Sequence, residues 1–177
     1  MKTSCVLIAV LVFLVSCETS TARKPVERAK RSELEKTVAL NKKMFALEQQ
    51  KMQAYMKLDS SHTYINSNKG FWYTKLAKSS TSPQPIKGDI VSYEQEILAL
   101  DGTVLYGREA LGVQSYVVDK QHIVKGIKEG IKLMREGEEA KFVFSSFVAY
   151  RVNGDSNQII GINEPIICTI KLLKINK

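Results

Sequence analysis

Apolar and polar positions change rhythm twice along this chain. Residues 6–15 form an unbroken apolar run, VLIAVLVFLV, behind the charged start Met1-Lys2. Between 25 and 58 there is no glycine and no second proline. Leu34, Val38, Phe45 and Met52 recur there at spacings of four or seven, with Met44, Leu47, Tyr55 and Met56 beside them. That spacing predicts an amphipathic helix, with Pro25 tolerated in its first turn and Asp59-Ser60-Ser61 ending it. After residue 62 the texture becomes strand and turn. The segment 70–76 (GFWYTKL) predicts an aromatic strand, and 79–82 with Pro83 and Pro85 a loop. A long strand over 90–100 reaches the hairpin dipeptide Asp101-Gly102, and 103–106 returns from it. A short strand follows at 116–118. A helix over 123–134 is carried by Ile123, Ile127, Ile131 and Met134, with further strands at 140–144 and 166–175. One helix of about three turns beside five or six antiparallel strands predicts an α+β fold, a curved sheet wrapped on a single short helix behind an N-terminal helical arm.

The first apolar run is too short to span a bilayer, which needs about 20 apolar residues. It reads as the core of an export signal. Leu14-Val15-Ser16-Cys17 then resembles the bacterial lipobox, in which the cysteine thiol is diacylglycerylated and the peptide is cut just before it. The expected division is a lipoprotein signal over 1–16, a tether and amphipathic helix over 17–62, and a folded domain over 63–177. Lipidation of Cys17 would anchor the protein without spanning the membrane, each buried acyl CH₂ contributing about 0.8 kcal/mol. The residues after Cys17, Glu18-Thr19-Ser20, leave the choice of inner or outer membrane open.

Cysteine usage fits that reading. Cys5 would leave with the signal and Cys17 become a thioether, so Cys168 remains alone and forms no disulfide even in an oxidising periplasm. One cysteine and two separated histidines, His62 and His122, build no metal site. The net charge of +8 is spread through the chain without an aromatic-interleaved basic patch, which argues against nucleic acid as a partner. Arg23, Lys24, Arg28, Lys30 and Arg31 cluster beside the proposed anchor, where they either meet an anionic leaflet that attracts them or simply form a solvated helix start. The narrow, Met-rich stripe of the long helix has two readings: it packs on its own domain or lies exposed, or it dimerises or cradles a client. No Gly-rich phosphate loop, no Gly-x-Ser-x-Gly elbow and no pairing among Glu94, Glu96, Glu129 and Glu139 suggests phosphate chemistry or hydrolysis.

Several pieces in order carry a family resemblance. They are GFWYTKLAKSSTSPQPIKGDIVSY, the hairpin LDGTVLYG, VDKQHIVKGIKEGIKLMREGEEAKFVF, then Ala149-Tyr150, Ile159-Ile160 and the final IICTIKLLKI. Over residues 64–177 the chain resembles the FK506-binding (FKBP) class of peptidyl-prolyl cis-trans isomerases. With its helical arm it is similar to the FKBP-type lipoproteins associated with gliding motility in Bacteroidetes. The resemblance implies a prolyl pocket without cofactor or metal. Tyr93, Ile123, Val124 and Tyr150 would be its catalytic set, the Val124 N–H donating to a bound carbonyl. Leu105, Tyr106, Ile127, Ile160 and Cys168 would line it for the substrate. Against the family pattern, Leu105 stands for a Phe, Tyr106 for an Asp, Ile127 for a Trp or Leu, and Cys168 for an aromatic. Arg151 replaces a Gly, and Gly161-Ile162 a Pro pair. His122, beside the helix start, reads as a solvated histidine, since the implied chemistry moves no proton.

The expected function is therefore lipid-anchored prolyl isomerisation on proline-containing clients in the periplasm. The alternative is a non-catalytic module that holds proline segments, or a scaffold of an envelope machine. A homodimer through the long helix is a further expectation.

Overall fold

The structure, a computed structural model, describes residues 27–78 and 82–177. The export segment, Cys17, the tether, the side chains of the basic cluster and residues 79–81 of the serine-rich loop lie outside the described residues. The chain divides into two compact units, Met1–Leu40 and Asn41–Lys177.

The long predicted helix is α1 (Glu27–Leu58), whose last turn closes when the Asp59 N–H donates to the Tyr55 carbonyl at 3.0 Å. In the first unit, Leu34, Val38 and Leu40 are exposed. No described helix is long and apolar enough to cross a membrane.

The second unit carries a seven-stranded antiparallel sheet of order β1-β2-β6-β7-β3-β4, with β5 pairing β3. Its strands are β1 (Ile65–Asn66), β2 (Phe71–Ala77), β3 (Ile90–Ala99), β4 (Val104–Tyr106), β5 (Gln114–Val117), β6 (Glu139–Phe144) and β7 (Ile166–Asn176). Two short helices complete it, α2 (Arg108–Leu111) and α3 (Lys125–Ile131). The α+β class holds, with differences in detail. The two-residue β1 raises the strand number above the five or six expected, because so short a strand leaves no alternation to see. The second expected helix is seven residues rather than about three turns. Its end tightens where Leu133 and Met134 donate to Gly130 and Ile131, three residues back. Ile123 and Val124 consequently precede the helix, Val124 as its extended N-cap, instead of opening it.

Period-two alternation builds the core. In β3, Val91, Tyr93, Gln95 and Ile97 are buried in alternation. In β7, Ile166, Cys168, Ile170 and Leu172 join the same cluster. Phe71 in β2 meets Phe142 and Phe144 of β6 edge-on, at 5.9 and 5.4 Å between ring centroids. The other face carries Thr74, Val143, Ile167 and Thr169, all buried. The 41–58 stretch of α1 reaches this side of the sheet. The Lys141 ammonium donates to Asp59 at 2.9 Å, Glu48 accepts from Ser146, and Met52 is fully buried. Burying Met52 stabilises the domain by about 1.5–3 kcal/mol.

Candidate functional site

Three strands, one short helix and two loops supply the expected site residues to the core cluster. Tyr93 comes from the middle of β3 and Cys168 from β7, where it is register-paired with Ile97 and Phe142. Leu105 and Tyr106 come from β4, behind the Asp101-Gly102 turn, in which Gly102 takes a left-handed φ of 90°. Ile123 and Val124 stand just before α3, and Ile127 lies within it. Tyr150 and Ile160 come from the long β6–β7 connection. Every pocket residue expected from the sequence belongs to this cluster or packs against it. Tyr93, Ile127, Ile160 and Cys168 are buried, while Leu105, Tyr106, Ile123, Val124 and Tyr150 are half-buried. His122 is exposed.

The two phenols are alike electrically. Burial pushes the Tyr93 hydroxyl up to about 12, with the Cys168 thiol and Tyr116 adding to it. Burial does the same for Tyr150, again to about 12, helped by Cys168, Tyr106, Asp155 and Tyr93. Both therefore stay protonated, as hydrogen-bond donors, across the physiological range. Neither hydroxyl has a hydrogen-bond partner among the described residues, although buried phenols ordinarily find one. The Val124 N–H is likewise unpartnered among the described residues, while its carbonyl accepts from Lys128. Burial also raises the Cys168 thiol, which donates weakly to Gln95 Oε1 at 3.8 Å, so this cysteine is an apolar wall and not a nucleophile. Three donors over an aliphatic surface suit a neutral polar backbone.

The departures from the family pattern have structural answers. Arg151, where the family pattern has a Gly, takes a left-handed backbone at φ 55°. Such a φ costs a side-chain-bearing residue roughly 1–2 kcal/mol. The guanidinium offsets this by lying over the Phe147 ring, 4.4 Å from its centroid, and donating from Nε to the Phe147 carbonyl at 2.8 Å. Gly161, in place of a proline, keeps an N–H that donates to Glu164 at 2.7 Å. Asp155, which the sequence reading passed over, ties the same loop together. It sits in the string GDSN, which reads only as turn-forming.

A hollow of about 660 Å³ lies between the 41–51 stretch of α1 and the β6–β7 loop, lined by Met44, Phe45, Leu47, Phe147, Val152 and Pro165 among others. It shares no residue with the phenol site. Among the described residues no group of three His, Cys, Asp or Glu side chains is placed to hold a metal ion.

A twisted antiparallel sheet closed on a short glycine-bearing helix, with paired phenols at its end, defines an FKBP-like domain. Residues 82–173 match the model of the family described as FKBP-type peptidyl-prolyl cis-trans isomerase, and the chain belongs to that family. Among its relatives is a Neisseria meningitidis protein named "probable FKBP-type peptidyl-prolyl cis-trans isomerase FkpA", 32% identical over 126 residues. The match takes in 71% of this chain and 46% of that one, so the chain spans about half the length of that relative. Among solved structures, FkpA from Escherichia coli aligns over 98% of this chain and 82% of its own, with a TM-score of 0.61 and 20% identity. The three FKBP domains of wheat FKBP73 align over 64% of this chain and 48% of that one, at a TM-score of 0.56 and 18% identity. At these identities the two structures speak for the fold alone.

Proposed function

We propose that the protein is a peptidyl-prolyl cis-trans isomerase that assists the folding of envelope proteins, anchored through a lipid on Cys17 on the periplasmic side. The observation that supports the isomerase reading is that Tyr93, Tyr150 and Val124 belong to or pack against one apolar cluster, the two phenols within electrostatic reach of each other, while both hydroxyls and the Val124 N–H lack partners among the described residues. Rotation about an X–Pro bond is slow because amide resonance raises a barrier of about 18–20 kcal/mol. The planar amide carries the charge separation of resonance and the twisted one less. Withdrawing water from it therefore destabilises the planar form more and lowers the climb. Leu105, Ile123, Ile127, Ile160 and Cys168 would exclude water, while the phenols and the amide hold the substrate backbone. No nucleophile, acid or base is required.

The anchor rests on the register of apolar run and lipobox. A role beside a gliding machine rests on the resemblance to motility-associated lipoproteins. A second reading, a module that holds proline-bearing segments without turning them over, is favoured by Leu105, Tyr106, Ile127 and Cys168 standing where the family pattern differs. A protease-free assay of prolyl-peptide isomerisation on the unlipidated chain from residue 18 separates the two. Acceleration supports the enzyme. Saturable peptide binding without acceleration overturns it in favour of the module. Replacing Cys17 by Ser should release the full-length protein from the membrane fraction, and unchanged partitioning would remove the anchor.

A further inference from the structure

The β6–β7 loop brings Tyr150 and Ile160 to the site without a strand to hold them, since no sheet pairing covers 145–165. It contains three non-glycine positions of left-handed backbone, Arg151, Gln158 and Asn163, and Ile159 beside the buried Ile160 is exposed. Its own backbone closes it where the Asn163 N–H donates to the Arg151 carbonyl at 2.8 Å, but no sheet ladder keeps Ile160 turned inward.

One carboxylate supplies the missing restraint. Asp155 Oδ1 accepts the Ile160 N–H at 2.6 Å, and the Asp155 N–H donates to the Ile160 carbonyl at 3.2 Å. Asp155 Oδ2 accepts the Tyr106 hydroxyl and, at 3.2 Å, the Asn157 N–H. Asn157 Nδ2 in turn donates to the Tyr106 oxygen at 3.1 Å. The turn is drawn so tight that a Cβ on Gly154 would lie 2.6 Å from the Ile160 carbonyl oxygen, and Gly154 takes a φ of 66° that favours glycine. Asp155 therefore joins both walls of the site: β4, which carries Leu105 and Tyr106, and the loop, which carries Tyr150 and Ile160.

We propose that Asp155 is a positioning residue of the prolyl site, its carboxylate latching the 150–160 loop to Tyr106 so that Ile160 and the Tyr150 hydroxyl meet the substrate in a fixed geometry. This rests on the isomerase reading, and the test keeps the two apart. Partial desolvation pushes the Asp155 carboxyl up, but hydrogen bonds from Tyr106, Ile160 and Asn157 outweigh it and hold the group below its ordinary value, so the latch is charged at neutral pH.

The experiment uses the unlipidated chain from residue 18, with Asp155→Ala, Asp155→Asn, Tyr106→Phe and the double Asp155→Ala/Tyr106→Phe. Amide hydrogen exchange reads the latch without reference to activity. In Asp155→Ala the Ile160 amide should exchange at least about tenfold faster, while β3 and β7 amides keep their protection. Prolyl-tetrapeptide isomerisation reads its consequence. A fall in kcat/KM of about tenfold is expected, with the double variant losing no more than Asp155→Ala alone, because both changes cut one network. Asp155→Asn keeps an acceptor for the Ile160 N–H and should recover part of the loss. Unchanged Ile160 exchange overturns the latch, as does lost protection with unchanged kcat/KM, or losses that multiply. A wild-type chain that does not accelerate isomerisation sinks the underlying reading. Affinity for the same tetrapeptide then replaces kcat/KM, and an Asp155→Ala variant that binds as tightly as wild type overturns the proposal.

Discussion

Gly126 lies so close to Phe144 that a Cβ added to it would stand 2.6 Å from the ring. One turn later Gly130 makes the same approach to Phe142, at 2.9 Å. The two rings are stacked on each other, 5.4 Å between centroids, and both are fully buried, so neither can withdraw. The glycines let α3 lie directly on the sheet, which sets Val124 and Ile127 against the phenol site. Gly126→Ala would gain up to about 1 kcal/mol of helix propensity but overpack the core by more, for a net loss of about 1–3 kcal/mol. Gly107→Ala is the control, with φ −74° and its nearest neighbour 4.0 Å away; it meets no clash and should cost no more than the roughly 0.5–1 kcal/mol of a weakened N-cap. Urea unfolding of both checks this, and equal stability of the two variants would contradict it.

Tyr93→Phe and Tyr150→Phe each remove a hydroxyl with no partner among the described residues, so stability should be little changed. If each hydroxyl holds the substrate backbone, each change costs about 1–1.5 kcal/mol in kcat/KM, or about tenfold. Both phenols ionise only near pH 12. The profile of kcat/KM should therefore show no step from either between pH 6 and 9. A fall in melting temperature that matches the loss of activity would mean that the phenols are simply core.

Much of this was readable before any coordinates. The alternation of Val91, Tyr93, Gln95 and Ile97 fixes one buried face, and Asp101-Gly102 fixes the turn and hence the neighbour of β3. The spacing of Ile123 and Met134 predicts a longer helix than forms, because both pack on the core from extended and 3₁₀-like backbone. Periodicity registers burial, not hydrogen bonding. Asp155 was invisible for a related reason. A carboxylate among Gly, Ser and Asn in a turn looks the same whether it faces water or bridges two walls. The seating of α1 residues 41–58 depends on Glu48 with Ser146 and Asp59 with Lys141, contacts 98 and 82 residues apart that no local window contains.

The stripe on α1 is divided by burial. Met52 is fully buried, yet Leu34 and Val38 are 63% and 44% exposed, and we propose that a second copy of the chain covers them in a homodimer. Sedimentation of the chain from residue 18 should give a dimer, and Leu34→Glu with Val38→Glu should return it to monomer without changing its unfolding midpoint at low concentration. A strictly monomeric wild-type profile would end the dimer proposal.

Asp59 makes acid the sharpest probe of how α1 is seated. Its Oδ2 accepts from the Tyr64 hydroxyl at 2.6 Å and from Lys141 at 2.9 Å, and its Oδ1 faces His62 Nδ1 at 2.8 Å and Ser61 at 3.1 Å. Burial alone would raise this carboxyl. The hydrogen bonds from Tyr64, Lys141, His62 and Ser61 outweigh that and hold it far below its ordinary value of 3.8. A carboxyl depressed on folding stabilises the folded state above its unfolded value, and the gain is lost as pH falls from there toward the folded one. Asp59→Asn should thus cost about 2 kcal/mol at pH 7, the scale of hydrogen bonds to a charged group. The gap to wild type should stay level down to about pH 5 and narrow progressively below about pH 4. Urea unfolding of both chains at pH 7, 5 and 3 measures it. A gap of the same size at all three would mean that the charge on Asp59 contributes nothing to how α1 is seated.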